Sequence, residues 1–167
     1  MDRISSQEYT SVAATHQDEI YAAAEGSYSV VCRYKSTGGA RWEKALCFPV
    51  IDGWKTLKVN RNRVICGSQH ENEVAVYHMN GTLIRRRGQS GSKKVGQFSG
   101  LYVSDADDTG SVLIADRWNN KLQVMSLRGT FRIVSLKPKV EQPRAAVLFN
   151  GDLYVMSCAT KSLYRYS

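Results

Sequence analysis

Long apolar runs and targeting segments are missing from this sequence. Its 167 residues contain no stretch of about 18 apolar side chains, the length that a membrane-spanning helix requires. The first residues, 1–6, show no basic segment leading into an apolar core, so they do not resemble a secretory signal. We therefore expect a cytoplasmic protein with no membrane partner.

Closely spaced cysteines are missing as well. The four cysteines, Cys32, Cys47, Cys66 and Cys158, form no C-x-x-C pair, and each lies in or beside an apolar run typical of a strand. This pattern favours buried free thiols in a reducing compartment over a zinc site or a disulfide framework.

Motifs of catalytic chemistry are also absent. The sequence has no G-x-S-x-G nucleophile turn and no phosphate-binding loop of the Walker type. The histidines His16, His70 and His78 fall on different turns and strands, so we do not expect them to converge on a metal. The acidic run 104–110 lacks the distal glutamate of a calcium loop and is interpreted as a solvated hairpin. We predict no enzyme activity, no cofactor and no metal site.

Helical periodicity is weak, and pairs of strand-like runs recur instead. The clearest pair is the apolar run Val112–Ala115, a polar turn, and the alternating run Lys121–Met125. Three weaker copies occur, at intervals of 44, 48 and 41 residues along the chain. The residue that follows the first run in the four copies is Ala24, Ser68, Asp116 and Ser157. A repeat of this length made only of strands is typical of a propeller blade.

The repeats predict one all-β domain over residues 1–167, a β-propeller of four-stranded blades. We place its blades at roughly 8–48, 54–88, 98–136 and 143–167. Each blade begins with an inner strand, continues with the pair of runs described above and ends with an outer strand after a glycine-containing turn. The fourth repeat stops at Ser167, before any outer strand.

The same stretches resemble a known repeat family, the NHL repeat. Its pattern is an apolar V-A-D strand, an N-N-x-h-Q-V strand and an N/D-G turn, followed by an outer strand and a G-x-F step. The stretches that carry the resemblance are 112–125 with Arg128-Gly129-Thr130-Phe131, 76–88 with Gly96-Gln97-Phe98, and 142–155. The resemblance extends over residues 60–167 and is weak before them, where Ala24 replaces the aspartate that the family prefers. NHL repeats build β-propellers, commonly of six blades.

The resemblance also implies a function. With its closing residues 163–167, the chain is most similar to the C-terminal propeller of the tripartite-motif proteins, which are often ubiquitin ligases. It would then be the substrate-recruiting module, because the Cys/His spacing of a RING or B-box is absent.

Four repeats are fewer than six. The chain is therefore interpreted as a fragment of a larger propeller, as a ring of four blades closed by residues 2–6, or as one of two associated copies. A further prediction is self-association through open blade edges.

The net charge of +8 predicts a basic binding face. In a propeller, turns between the two middle strands lie on the same face as the loops that join successive blades. The residues placed on that face are Arg117, Trp118, Asn119, His70, Arg85, Arg86, Arg87, Lys93, Lys94, Lys137 and Lys139. The acids Asp105, Asp107 and Asp108 are placed on the opposite face.

Two kinds of partner suit a basic face with an exposed aromatic. The first hypothesis is a protein partner or substrate, and the alternative is single-stranded RNA, which binds cations through its phosphates and aromatic rings through its bases. An enzyme of the lactonase or lyase type on a similar propeller is disfavoured, because inner-strand residues such as Trp54, Leu57 and Val147 are apolar.

Overall fold

The computed structural model of the protein describes residues 9–15, 19–24, 29–39, 41–60 and 62–167. The hypothesis that residues 2–6 close the ring, and the placement of His16, lie outside these ranges. The described strands are β1 (Tyr9–Ala14), β2 (Glu19–Ala24), β3 (Val30–Gly38), β4 (Arg41–Pro49), β5 (Trp54–Asn60), β6 (Arg63–Ser68), β7 (Glu73–His78), β8 (Leu83–Arg87), β9 (Gln89–Ser90), β10 (Gln97–Phe98), β11 (Leu101–Ala106), β12 (Val112–Asp116), β13 (Lys121–Met125), β14 (Phe131–Val134), β15 (Pro143–Phe149), β16 (Asp152–Ser157) and β17 (Leu163–Tyr166). Within the described ranges, no helix is long and apolar enough to cross a membrane.

These strands form four antiparallel sheets, each of which is one blade. Blade 1 contains β1–β4, blade 2 contains β5–β8, blade 3 contains β11–β14, and blade 4 contains β15–β17. Every blade is a meander in chain order, with its inner strand first. The short strands β9 and β10 pair in parallel within the loop between blades 2 and 3. The prediction of an all-β propeller built from such blades is confirmed.

Successive blades pack face to face, so that blades 2 and 3 contact a neighbour on each of their two sides. We call the side that meets the following blade the forward face, and the side that meets the preceding blade the backward face. The forward face of blade 1 places Tyr21, Val31 and Phe48 against Leu57, Cys66 and Tyr77 on the backward face of blade 2. The forward face of blade 2 places Ile65, Val74 and Val76 against Val103, Ile114 and Met125 of blade 3. The forward face of blade 3 places Ala115 and Leu122 against Ala146 and Val155 of blade 4. The core is thus three similar layers, because alternate side chains of each strand point to opposite faces of its blade. The middle strands of blade 2, β6 and β7, are buried on both faces.

The array of blades has two free ends. The inner strands contact one another in order, β1 with β5, β5 with β11, and β11 with β15. No comparable contact joins β15 back to β1 among the described residues. Among the described strands, blade 4 contains three, and β17 is the outermost of them.

Two boundaries in blade 3 differ from those expected from the sequence. Its inner strand begins at Leu101 instead of Phe98, because the chain turns at Gly100, whose φ of +73° lies in the left-handed region. The same strand runs through a bulge to Ala106. The acidic turn is therefore shorter than the predicted 104–110.

The prediction of four free thiols is wrong for two of the cysteines. Cys32 and Cys47 lie opposite each other in the ladder of β3 and β4, with Cα atoms 4.1 Å apart, and form a disulfide. Directly opposed residues in an antiparallel pair come close enough for this bond. Cys66 and Cys158 are free, and burial raises the pKa of the Cys66 thiol.

Candidate binding surface around Trp118

A buried carboxylate fixes the turn between β12 and β13. Asp116 is fully buried, and its Oδ1 accepts a hydrogen bond from the backbone N–H of Ser99 at 2.8 Å. Its oxygens also accept from the side-chain amides of Asn119 at 3.0 Å and Gln123 at 3.1 Å. Burial raises the pKa of Asp116, and these donors act in the opposite direction because they favour the charged form. The carboxylate therefore connects the turn to the loop that enters blade 3.

The two amide side chains carry the connection further. The Nε2 of Gln123 donates to the carbonyl of Gln97 at 2.9 Å, and its Oε1 accepts from the N–H of Gly96 at 2.9 Å. The Nδ2 of Asn119 also donates to the carbonyl of Gly91 at 2.8 Å. Gln123 and Asn119 thus form hydrogen bonds with both ends of the loop 91–97 and hold it next to the turn.

The same position performs the same task in blades 2 and 4. The hydroxyl of Ser68 donates to the carbonyl of Asp52 at 2.8 Å and accepts from the N–H of Glu71 at 3.0 Å. In blade 4 the hydroxyl of Ser157 donates to the carbonyl of Glu141 at 2.6 Å. Both serines are buried. A polar residue after the second strand therefore joins each of these turns to its incoming loop.

Trp118 is held at the surface by the backbone of this turn. Its N–H donates to the carbonyl of Ser99 at 2.9 Å. A Cβ placed on Gly100 would lie 2.6 Å from Cδ1 of the indole, so the ring packs directly on that glycine. The guanidinium of Arg117 lies 4.2 Å from the ring centroid, and the side chain of Trp118 stays 56% exposed. The turn therefore exposes an aromatic ring with a cation beside it.

Hydrogen bonds join this turn to the blades on either side. The Nη2 of Arg117 donates to Oε1 of Gln142 at 3.3 Å, and the N–H of Gln142 donates to Oδ1 of Asn120 at 2.7 Å. On the other side, the N–H of Gly100 donates to Oδ1 of Asn72 at 3.1 Å. Residues of blade 2, blade 3 and the entry to blade 4 thus form one connected polar network.

Three lysines lie on or beside the loop that enters blade 3. Lys93 and Lys94 are exposed, and their N–H groups donate to Oε1 of Gln97 at 3.0 and 2.9 Å. The Nζ of Lys121, at the start of β13, donates to the carbonyl of Ser92 at 3.0 Å. The loop therefore holds Lys93 and Lys94 next to the turn that carries Trp118.

The two predicted lysines of the next loop are separated. Lys139 lines a depression of about 430 Å³ together with Asn119 and Lys121. Lys137 lines a different depression, beside Tyr166 of β17. The structure therefore brings Lys139, but not Lys137, to the turn that carries Trp118.

The arginines of β8 do not join this surface. Arg86 forms an ion pair with Glu73 of the adjacent strand. Arg85 and Arg87 pack against Gly129, in the turn at the other end of β13 from Trp118. This departs from the prediction of one continuous basic face, since alternate side chains of a strand point to opposite sides.

His70 lies on the corresponding middle turn of blade 2. Its exposed side chain packs against Gly53, and its Nδ1 lies 2.9 Å from Oε1 of Glu71. No group of three or more His, Cys, Asp or Glu residues in the described part of the chain is placed to hold a metal ion.

The residues that the structure brings together define what we call the Trp118 surface. They are Lys93, Lys94, Arg117, Trp118, Asn119, Lys121 and Lys139. Lys121 was not among the residues predicted for this surface, and no contact was predicted for Asp116. The D-x-x-N-x-x-x-Q spacing of residues 116, 119 and 123, which occurs in blade 3, is the sequence signal for these contacts.

The acidic turn at the opposite end of blade 3 is closed by its own side chains. Oδ1 of Asp107 accepts from the hydroxyl of Thr109 at 2.7 Å and from the N–H of Ser111 at 2.8 Å. Burial opposes ionisation of Asp107, but these bonds outweigh it and lower the pKa. This carboxylate is therefore engaged in the hairpin.

The stacked blades and their joined turns define a β-propeller. No family model and no curated protein sequence matches this chain. In solved structures, the fold is similar to the WD40 propeller of Doa1, at 13% identity and a TM-score of 0.66, over 95% of this chain and 50% of that one. It is also similar to virginiamycin B lyase from Staphylococcus aureus, at 11% identity and a TM-score of 0.64, over 93% and 54% of the two chains. The computationally designed Ika4 protein is 9% identical with a TM-score of 0.65, over 97% and 92%.

These likenesses concern the fold alone. The chain spans about half the length of the Doa1 and virginiamycin B lyase chains. The resemblance to NHL repeats stays a prediction from the sequence.

Proposed function

We propose that this propeller is a non-catalytic binding module that docks a protein partner on the Trp118 surface. The observation that carries the proposal is Trp118 itself. Its side chain is 56% exposed, its backbone N–H donates to the carbonyl of Ser99, and its ring packs on Gly100. Exposed tryptophan and arginine side chains are enriched among the residues that dominate binding energy at protein interfaces. A ring already held in place also loses little conformational entropy on binding.

A finer proposal rests on the NHL-like stretches 76–98 and 112–131. It assigns the chain to the partner-recruiting propeller of a tripartite-motif ubiquitin ligase. Under this proposal the module positions a substrate, and the transfer chemistry belongs to other domains.

The test is recovery of partners from a nuclease-treated lysate by the immobilised chain and by Trp118→Ala. We expect the variant to lose more than tenfold of the signal of its specific partner in quantitative mass spectrometry, because loss of a central aromatic typically costs about 2 kcal/mol or more. Trp42→Ala is the matched control, since Trp42 is an exposed tryptophan on β4 of blade 1. Equal recovery by both variants would contradict the proposal.

Single-stranded RNA is a second candidate, supported by the lysines that surround the exposed ring. Lys93, Lys94, Lys121, Lys139 and Arg117 could neutralise about five phosphates, while a base stacks on Trp118. Log K for a single strand should then fall with log salt at a slope of about −3.5.

The salt dependence is best measured by fluorescence anisotropy with an oligouridine probe. The triple variant Lys93→Ala, Lys94→Ala, Lys139→Ala should reduce the magnitude of the slope by about 2, because three phosphate contacts are lost. Arg128→Ala is the control, since Arg128 lies in the turn at the other end of β13. A slope unchanged in the triple variant would rule out RNA binding by this surface.

A further inference from the structure

The last blade presents an uncovered apolar face. The ladder registers place Val147, Phe149, Met156 and Leu163 on the forward face of β15–β17, opposite to the side that packs on blade 3. These four side chains are between 41% and 68% exposed. The same registers place Tyr154 and the ion pair of Arg165 with Asp152 on this face, beside the apolar side chains. Exposed apolar side chains grouped in this way are typical of an interaction surface.

The first blade presents the complementary face. Val12, Ala22 and Cys32 are cross-strand neighbours on the backward face of β1–β3, on the side away from blade 2. Val12 is 67% exposed, and Ala14, the next residue of β1 on that side, is exposed as well. Cys32 and Tyr34 of the same face are buried, so its exposed part is the inner strand β1. Within the described residues, the forward face of blade 4 and this part of the backward face of blade 1 have no neighbouring blade.

A forward face and a backward face are the two kinds of surface that pack on each other between successive blades of this protein. A forward face meets a backward face three times, between successive blades, and each contact buries an apolar cluster. Among the described residues, β15 does not pack on β1 as successive inner strands pack on each other.

We propose that the occupant of both free faces is a second copy of this chain. The forward face of β15–β17 in each copy packs on the backward face of β1–β4 in the other. The two contacts are identical and related by a two-fold axis, so the ring closes with eight blades and leaves neither apolar face in water.

The first measurement is the mass of the chain in solution by light scattering, at micromolar concentrations. We expect twice the 18.7 kDa of one chain, with no further growth as the concentration rises. A mass of one chain would overturn the proposal, and so would a mass that keeps growing, because that indicates an open filament instead of a closed pair.

Two charged variants test which faces meet. The forward-blocked variant carries Val147→Lys and Leu163→Lys, and the backward-blocked variant carries Val12→Lys and Ala14→Lys. All four positions are exposed, so neither variant is expected to unfold the monomer. Each variant alone should have the mass of one chain, because both contacts in the pair need one face of each kind.

Mixing the two blocked variants gives the decisive result. Each supplies the face that the other lacks, so one contact is restored, and an affinity-tagged forward-blocked chain should capture the untagged backward-blocked chain. Leu83→Lys is the control, because Leu83 is exposed on the outer strand β8 and lies on neither free face; it should keep the doubled mass. A dimer that persists in either blocked variant, or a mixture without capture, would refute the pairing of these faces.

Discussion

Replacing Asp116 with alanine is expected to lower the free energy of unfolding by about 2–4 kcal/mol. The substitution leaves the N–H of Ser99 and the amides of Asn119 and Gln123 without their acceptor in a buried turn. Each buried donor that loses its partner costs about 1–3 kcal/mol, with part of this cost recovered when the turn admits water. Chemical denaturation followed by tryptophan fluorescence would measure the loss.

The variant Asp116→Asn makes the test more specific. It preserves the shape of the side chain but turns an acceptor oxygen into an NH₂ group that faces the amide donors of Asn119 and Gln123. We expect it to destabilise the fold nearly as much as alanine does. Glu43→Gln, on the exposed surface of β4, should stay within about 0.5 kcal/mol of the unsubstituted protein. Stability of Asp116→Asn equal to that of the control would show that the carboxylate does not hold the turn.

The pH dependence of this loss has a defined sign. Because burial raises the pKa of Asp116, the native state binds the proton of this carboxyl more tightly than the unfolded chain does. The contribution of this proton to the free energy of unfolding is fully present below the pKa of Asp116 in the unfolded chain. It is lost as the pH rises through the pKa of Asp116 in the folded protein. The difference in the free energy of unfolding between the unsubstituted protein and Asp116→Ala should therefore become smaller as the pH rises from the unfolded pKa to the folded pKa.

The fold could be predicted because each blade is formed by one continuous segment of the chain and the same strand pattern returns in each segment. Apolar runs such as Val112–Ala115 return at nearly equal intervals, and a blade is the unit that buries them on both sides. The place of Trp118 followed from the same reasoning, since a meander fixes the end of the blade on which each turn lies.

The contacts of the Trp118 surface could not be predicted, because the repeat pattern does not tell how far apart residues of different loops lie. Gln123 reaches the carbonyl of Gln97, and Arg117 reaches Gln142, across loops that differ in length from blade to blade. Arg85 and Arg87 depart from the predicted basic face for a related reason. They lie on the outer strand β8, whose side chains point alternately toward and away from the next blade, and both contact Gly129.

The sequence does not indicate the disulfide, because the register of the hairpin of β3 and β4 is irregular. The ladder of β3 and β4 shifts between Arg33 and Tyr34 and again between Ser36 and Gly38. If residues of β3 and β4 are paired one by one from the turn at Gly38-Gly39, these shifts are not taken into account. The sequence alone therefore does not indicate which residues lie opposite each other.

Removing this disulfide is expected to cost about 3 kcal/mol of stability. The bond between Cys32 and Cys47 closes a segment with a sequence separation of 15 residues, and such a loop loses roughly that much unfolded-state entropy when it is crosslinked. The double variant Cys32→Ala, Cys47→Ala should therefore unfold at a lower denaturant concentration than the oxidised protein. Cys158→Ser, which removes a free and half-buried thiol, is the control and should change stability little.

Reduction provides an independent measurement of the same bond. Dithiothreitol should destabilise the unsubstituted protein and Cys158→Ser by a similar amount and leave the double alanine variant unchanged. Alkylation of the oxidised, denatured chain should label Cys66 and Cys158, whereas four labelled cysteines would contradict the bond. The cytoplasmic location stays a prediction, and a structural disulfide argues against it, because reducing compartments keep such pairs as thiols. If the chain does occupy such a compartment, its stability there is that of the reduced form, and the hairpin of β3 and β4 is held by its ladder and by its packing on blade 2 alone.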